Sequence, residues 1–337
     1  MGERMRRRTV LTLGAAYALA PLAGCTRTRL ASIDGATMGT HFRVRLPADN
    51  NLPGLSQRIT QTLRHIESTM SAYQPNSELT RMNRGDIGWI RLSEATRDVV
   101  HQALHVARAT RGAFDPTVAP LVSLWGFGPE GRRQAPPARR EIEALRSQVG
   151  YKRIELDQSR LRKAHRDTGI DLNGIAKGYA VDAIAALLRE AGVDDYLVDI
   201  GGELRARGRR DAREPWRVGV LNPATQALIP LRLSDQAIAT SGNYFNYFVA
   251  GGQHYSHNID PRTGQPVMHN TMSATVVADD TSLADAWSTA LMTLGRAGGY
   301  PLAARNGVAA LFLEEAAGGG VTRTVTPALE RLGALAA

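Results

Sequence analysis

Cysteine is all but missing: Cys25 is the single one in 337 residues, so no intramolecular disulfide can form. Dense clusters of lysine and arginine interleaved with aromatics are lacking too, which argues against nucleic acid as a partner. No GxGxxG follows the first expected strand, and there is no P-loop, no Cys/His zinc spacing and no GxSxG. These gaps argue against the common dehydrogenase, NTPase, zinc-enzyme and α/β-hydrolase designs. Internal repeats and long low-complexity segments are absent as well. The apolar run Val10 to Leu22 falls short of the roughly 20 residues that a membrane-spanning helix needs.

That short run has a different meaning. Arg6, Arg7 and Arg8 precede it, and it ends in Leu22-Ala23-Gly24-Cys25, so residues 1–24 read as a secretory signal peptide. The paired arginines before Thr9-Val10-Leu11 resemble a twin-arginine signal, which exports folded proteins; an ordinary signal with a basic start reads the same way. Leu-Ala-Gly-Cys resembles the bacterial lipoprotein box, whose cysteine is lipidated and becomes the mature N-terminus. On this reading Cys25 carries the lipid, residues 25–34 are a tether, and residues 35–337 are one unit. Acyl chains would hold the protein firmly to a membrane. The formal charge is +9, and residues 1–24 carry four arginines and Glu3, which leaves about +6 for the mature chain. Such a surface favours anionic ligands or lipid headgroups.

Periodicity sketches the elements. Phe42, Val44 and Leu46 alternate as a half-buried strand, and Leu55, Ile59, Leu63, Ile66 and Met70 form a helix face. A second helix is expected from Ser93, with Val99, Val100, Leu104 and Ala107 inward. Residues 113–128 read as ordered loop around a short helix, and 129–140 as an exposed connector. The stretch Asp171 to Asp182, DLNGIAKGYAVD, reads as a strand end and turn leading into a helix, with Asp171 and Asn173 as caps and Gly192 as the stop. Tyr196 to Ile200 is a compact strand, residues 216–240 are β-rich, and residues 273–278 are a strand. A helix starts at Ser282 with Asp285 completing a capping box, and 308–315 with 321–326 form a closing hairpin. Strands and helices mix without a steady βαβ rhythm, which points to an α+β fold: mixed sheets with packed helices.

Chemistry-bearing residues collect in polar, glycine-rich turns, as in a cleft built from several loops. Lys177, one turn into its helix, either faces water or holds an anionic group at the helix start. Asp285 and Thr289, four apart on a helix, present two hard oxygen donors on one face; they suit Mg²⁺, or else one caps and the other packs. His257 can take a proton from a hydroxyl or simply brace its loop. Gly201-Gly202 allows close approach of a ligand or a plain turn.

As an ordered set these segments resemble the ApbE family, the FAD:protein FMN transferases, along nearly the whole mature chain. The matching blocks are GATMGT at 35–40, MSAYQPNSEL at 70–79, GAFDPTVAPLVSLWGFG at 112–128, DLNGIAKGYAVD at 171–182, IGGELRARG at 200–208, ATSGNYFNYF at 239–248, YSHNIDPRTG at 255–264 and ADAWSTALMTLG at 284–295. The resemblance implies a periplasmic lipoprotein that binds FAD and Mg²⁺, moves FMN to a Ser or Thr hydroxyl of an acceptor protein, and releases AMP. The acceptors it implies are proteins of membrane-associated flavin redox complexes. Carried over by position, Met38, Tyr73, Ala113, Phe114 and Asp115 would contact FAD, while Asp171 and Lys177 would hold its polar parts. Asp285 and Thr289 would bind Mg²⁺ through side chains, Gly174 would add a backbone carbonyl, and His257 matches the family's candidate general base. Three positions depart from the family's habit: Asn258 where an apolar residue is common, Asn243 where aspartate is common, and Gly174 where alanine is frequent. Two rival activities stay open, hydrolysis of FAD to FMN and AMP, and flavin binding without catalysis.

Overall fold

Eight strands build one antiparallel sheet and lie in it in the order in which the chain makes them. They are β1 (Leu30–Thr37), β2 (Thr40–Pro47), β3 (Tyr196–Ile200), β4 (Glu203–Arg207), β5 (Ala237–Gly242), β6 (Thr271–Ala278), β7 (Ala309–Glu315) and β8 (Val321–Val325). Each neighbouring pair is antiparallel. The sheet is therefore a meander whose connections have been expanded, with residues 48–195 inserted between β2 and β3 alone. The computed structural model describes residues 29–335 apart from 51, 134, 212 and 213. The expected signal peptide and Cys25 lie outside the described residues.

Strand alternation gives the sheet two apolar faces. Ala239, Val276, Ala310 and Phe312 point to the face covered by a long helical segment, Thr281–Arg305, kinked at Gly295 where the backbone leaves helical geometry (φ 62°, ψ 176°). Ile238, Val277, Leu311 and Leu313 point to the other face. There a hairpin (Trp216–Leu221 with Leu228–Leu233) and the short helix Pro327–Leu332 cover them. Four helices matter for the site: α1 (Leu55–Met70), α2 (Glu94–Ala109), α3 (Ala176–Glu190) and α4, the long one. The expected apolar faces of α1 and α2 are buried, and the Ser93 hydroxyl accepts from the Thr96 N–H at the start of α2. Each fully buried leucine, isoleucine or valine there contributes about 1.5–3 kcal/mol. Among the described residues no helix is long and apolar enough to cross a membrane.

Three local expectations are corrected. Residues 30–34, assigned to a tether, are the first part of β1 and pair with β2. Asp171 and Asn173 do not cap α3, which begins at Ala176; Asp171 Oδ1 instead accepts from the Asn173 N–H at 2.7 Å in the preceding loop. The capping box of Ser282 and Asp285 does not form either. Asp182 of α3 accepts from the Thr281 N–H through Oδ1 (3.0 Å) and from the Ser282 N–H through Oδ2 (2.9 Å). Gly178 explains the substitution: a Cβ there would lie 2.4 Å from the Thr281 carbonyl oxygen, so only glycine lets α3 come close enough to cap its neighbour. Asp285 is thereby released from the cap and accepts from the Gly178 N–H at 3.1 Å.

Candidate active site

At the end of the sheet that carries the β1–β2 and β3–β4 turns, the inserted segments surround a cavity of about 1360 Å³. Its wall is drawn from distant parts of the chain: Met38 after β1, Tyr73 after α1, Ala113, Phe114 and Asp115 after α2, and Asp171, Gly174 and Lys177 around the start of α3. His257, Asp285 and Thr289 complete it. Every residue expected at the site from the sequence thus faces one space.

On the α3–α4 side the oxygen donors converge. A Cβ on Gly174 would meet Thr289 Oγ1 at 3.0 Å and Phe114 at 3.2 Å, so the backbone of Gly174 rests directly on Thr289. Thr289 Oγ1 is 3.3 Å from Ser241 Oγ, which in turn lies 2.9 Å from Ser288 Oγ. Asp285 is buried, and burial pushes its carboxyl above the usual range against the pull of Lys177. Its Oδ2 is taken by Gly178, whereas Oδ1 accepts no hydrogen bond from the described residues; Lys177 Nζ stands 4.0 Å away.

Lys177 does not reach freely into the cavity. Its Nζ donates to Glu203 Oε1 at 2.6 Å. Burial works against the ammonium, but Asp285 and Glu203 outweigh it and hold the lysine above its ordinary pKa. For Glu203 burial dominates and pushes the carboxyl to about 7, with Lys177 pulling down and Asp285 pushing up. The contact is short and a third of the lysine side chain is exposed, so the ionised pair is the form we take. Glu203 escaped the sequence reading. Its position directly after Gly201-Gly202 was visible, but its partner lies 26 residues away.

His257 faces the same cavity. Its Nδ1 lies 3.0 Å from the Asn246 carbonyl oxygen, which can only accept, so Nδ1 carries the proton and Nε2 keeps its lone pair. Burial chiefly, and the charge of Lys177, hold the imidazole below its ordinary pKa, although the Asn246 carbonyl opposes them. The ring edge of Phe127 packs against it, with centroids 6.3 Å apart.

The remaining wall residues shape rather than react. Met38 adopts the left-handed conformation (φ 50°), and its N–H donates to Glu67, which also accepts from Thr37 Oγ1 at 2.8 Å. Tyr73 is exposed at the mouth, its hydroxyl donating to the Phe127 carbonyl oxygen at 3.3 Å. Asp115 spends both carboxylate oxygens within the protein: Oδ1 accepts from the N–H and hydroxyl of Thr117 in its own loop, Oδ2 from the N–H of the distant Tyr151 at 2.7 Å. Asp171 is half-buried, and desolvation raises its carboxyl.

Among the described residues no three His, Cys, Asp or Glu side chains gather as a metal site. One carboxylate, one hydroxyl and one carbonyl form a sparser set, of the hard-oxygen kind that Mg²⁺ accepts while keeping water and phosphate as further ligands. With Lys177, Glu203 and Asp285 ionised, the trio carries one net negative charge. Asp285 Oδ1, free of hydrogen bonds from the described residues and 4.0 Å from Lys177, lines the same cavity as Thr289 and Gly174, and this donor set fits a divalent cation.

Comparison with known proteins decides the family. The ApbE family matches residues 38–312. The chain belongs to the ApbE family. It is 34% identical over 320 residues to the FAD:protein FMN transferase of Haemophilus influenzae, covering 90% of this chain and 92% of the relative. It is 36% identical over 300 residues to the FAD:protein FMN transferase of Vibrio cholerae, covering 87% of this chain and 90% of the relative. Among solved structures, the apo flavinyl transferase ApbE of Pseudomonas stutzeri superposes with a TM-score of 0.84 at 36% identity, covering 90% of this chain and 96% of that one. The flavin transferase ApbE of V. cholerae gives 0.83 at 33% identity, covering 90% and 99%. The two ApbE departures beside the site have structural work here. Asn258 Nδ2 donates to the Gly242 carbonyl (3.0 Å) and to Ser256 Oγ (3.2 Å), and Asn243 Nδ2 donates to the Thr271 carbonyl (3.1 Å). Asn258 ties the segment carrying His257 to the sheet end, and Asn243 joins the ends of β5 and β6 there.

Proposed function

We propose that the chain is a flavin transferase that moves FMN from FAD to a Ser or Thr hydroxyl of an acceptor protein and releases AMP. The supporting observation is the single cavity that brings His257, Lys177, Asp285 and Thr289 together with the residues expected to contact FAD. At about 1360 Å³ it exceeds the roughly 300–1,000 Å³ of an ordinary small-molecule pocket, which leaves room for a dinucleotide and an incoming peptide.

The chemistry follows from the positions. Met38, Tyr73, Ala113, Phe114 and Asp115 line the wall that would contact FAD, and Asp171 and Lys177 line the part that would hold its polar groups. The acceptor hydroxyl gives its proton to His257 Nε2 as its oxygen bonds to the FMN phosphorus. The bond from that phosphorus to the bridging pyrophosphate oxygen breaks, and AMP departs with the electron pair. Asp285, Thr289 and the Gly174 carbonyl would hold Mg²⁺, which when bound neutralises phosphate charge. Lys177, paired with Glu203, offsets one of the two carboxylate charges on the same wall and so lessens their repulsion of the phosphates. The acceptors belong to membrane-associated flavin redox complexes, and the enzyme works in the periplasm, anchored through a lipid on Cys25.

Incubating the purified protein with FAD, Mg²⁺ and candidate acceptor domains tests this reading. AMP should appear together with flavin covalently attached to the acceptor. AMP and free FMN without attached flavin would replace transfer by hydrolysis, and no AMP at all would leave flavin binding alone.

A further inference from the structure

Glu203 is a buried carboxylate that the transfer chemistry does not use. It is 3% exposed, opens β4, and lies directly after the Gly201-Gly202 turn, where both glycines have positive φ. The turn is tight: a Cβ on Gly201 would meet Thr40 at 2.8 Å. The carboxylate is therefore delivered by a rigid element. Its Oε1 takes Lys177, and its Oε2 has no partner among the described residues. A buried carboxylate with so little satisfaction is costly to the fold, and structure alone does not account for it. Among the described residues its one side-chain partner is the lysine.

Lys177 has a second carboxylate in reach. Asp285 Oδ1 is 4.0 Å from Nζ, beyond hydrogen-bond distance, while Glu203 Oε1 is at 2.6 Å. An ammonium on a flexible four-carbon stem moves to the best available anion. We infer that Glu203 is a positioning residue that holds Lys177 off Asp285 and so keeps Asp285 Oδ1 open for a divalent cation. Asp285 contributes to this arrangement, because Gly178 pins its Oδ2 and leaves Oδ1 as the oxygen at stake. The inference rests on the reading of Asp285 as a cation ligand.

The test measures cation binding rather than turnover. Mg²⁺ is titrated into protein saturated with FAD, for the wild type, Glu203→Gln, Lys177→Met, the double variant and Asp285→Ala, with heat or flavin fluorescence as the signal. Glu203→Gln should weaken Mg²⁺ binding about 10- to 100-fold, the range for partners just outside a metal's ligands. Lys177→Met should bind Mg²⁺ at least as well as the wild type, and adding it to Glu203→Gln should recover the loss. A crystal structure of Glu203→Gln should show Nζ hydrogen-bonded to Asp285. Unchanged affinity in Glu203→Gln, weakened binding in Lys177→Met, or Nζ still apart from Asp285 would each overturn the inference. Asp285→Ala separates the two levels: if it binds Mg²⁺ like the wild type, the reading of Asp285 fails and takes the inference with it. If it loses Mg²⁺ while Glu203→Gln does not, only the inference fails. Where Glu203→Gln does not fold, Glu203→Asp, whose shorter side chain reaches Lys177 less well, takes its place with the same expected loss and the same overturning result.

Discussion

At the scale of one residue, the imidazole of His257 shows how a neighbour selects a chemical form. The Asn246 carbonyl fixes the proton on Nδ1, and burial chiefly, with the charge of Lys177, holds the ring's pKa below that of a free histidine. The acidic limb of kcat/KM for transfer should therefore lie below the ordinary histidine pKa of about 6.5, as a pH–rate profile would show. The sign for stability agrees: the folded pKa is depressed, so the unfolded chain binds the proton first. This contribution is present above the unfolded value and is lost as pH falls through the folded one. Replacing His257 by alanine should slow transfer about 10²- to 10⁴-fold while FAD binding, followed by flavin fluorescence, stays close to wild type. A large loss of affinity with little change in rate would assign it to binding instead. His257 was legible because it stands inside a recognisable block, as were Asp285 and Thr289. Glu203 was not, because its role is a contact with a lysine on another element.

At the scale of an element, the pair α3 and α4 shows propensity overruled by packing. Ser282 followed three residues later by Asp285 has the composition of a capping box, and in isolation the helix would start that way. Gly178 removes the side chain that would separate the helices, and Asp182 then reaches both free N–H groups at once. The same carboxylate pairs with Arg205 of β4 at 2.8 Å, so cap, helix pair and sheet are joined at one point. Asp182→Ala should lower stability by about 1–2 kcal/mol, the usual cost of a lost cap with its hydrogen bonds, read as a shift in the urea midpoint at constant slope. An unchanged midpoint would mean that water or another side chain caps α4 equally well. The consequence reaches the site, since an Asp285 occupied as a cap could not present Oδ1 to the cavity.

At the scale of the molecule, an in-order antiparallel meander leaves its turns at two ends, and the long insertions converge on one of them. A lipid on Cys25 followed by only a few residues before β1 would keep that body close to a membrane surface. Cys25→Ser should move the protein from the membrane to the soluble fraction while purified transfer activity persists; membrane retention would count against lipidation as the anchor. Much of this was readable in one dimension. The apolar periods of α1 and α2, the alternation in β2 and the ordered polar blocks are set by residues within a few positions of each other, so the sequence by itself determined which elements form and which family they resemble. Which group caps α4, which carboxylate holds Lys177, and how residues from 38 to 289 come to share one cavity were decided only by the tertiary structure. Those outcomes depend on contacts between groups far apart in the chain, and such contacts exist only once helices and sheet have packed.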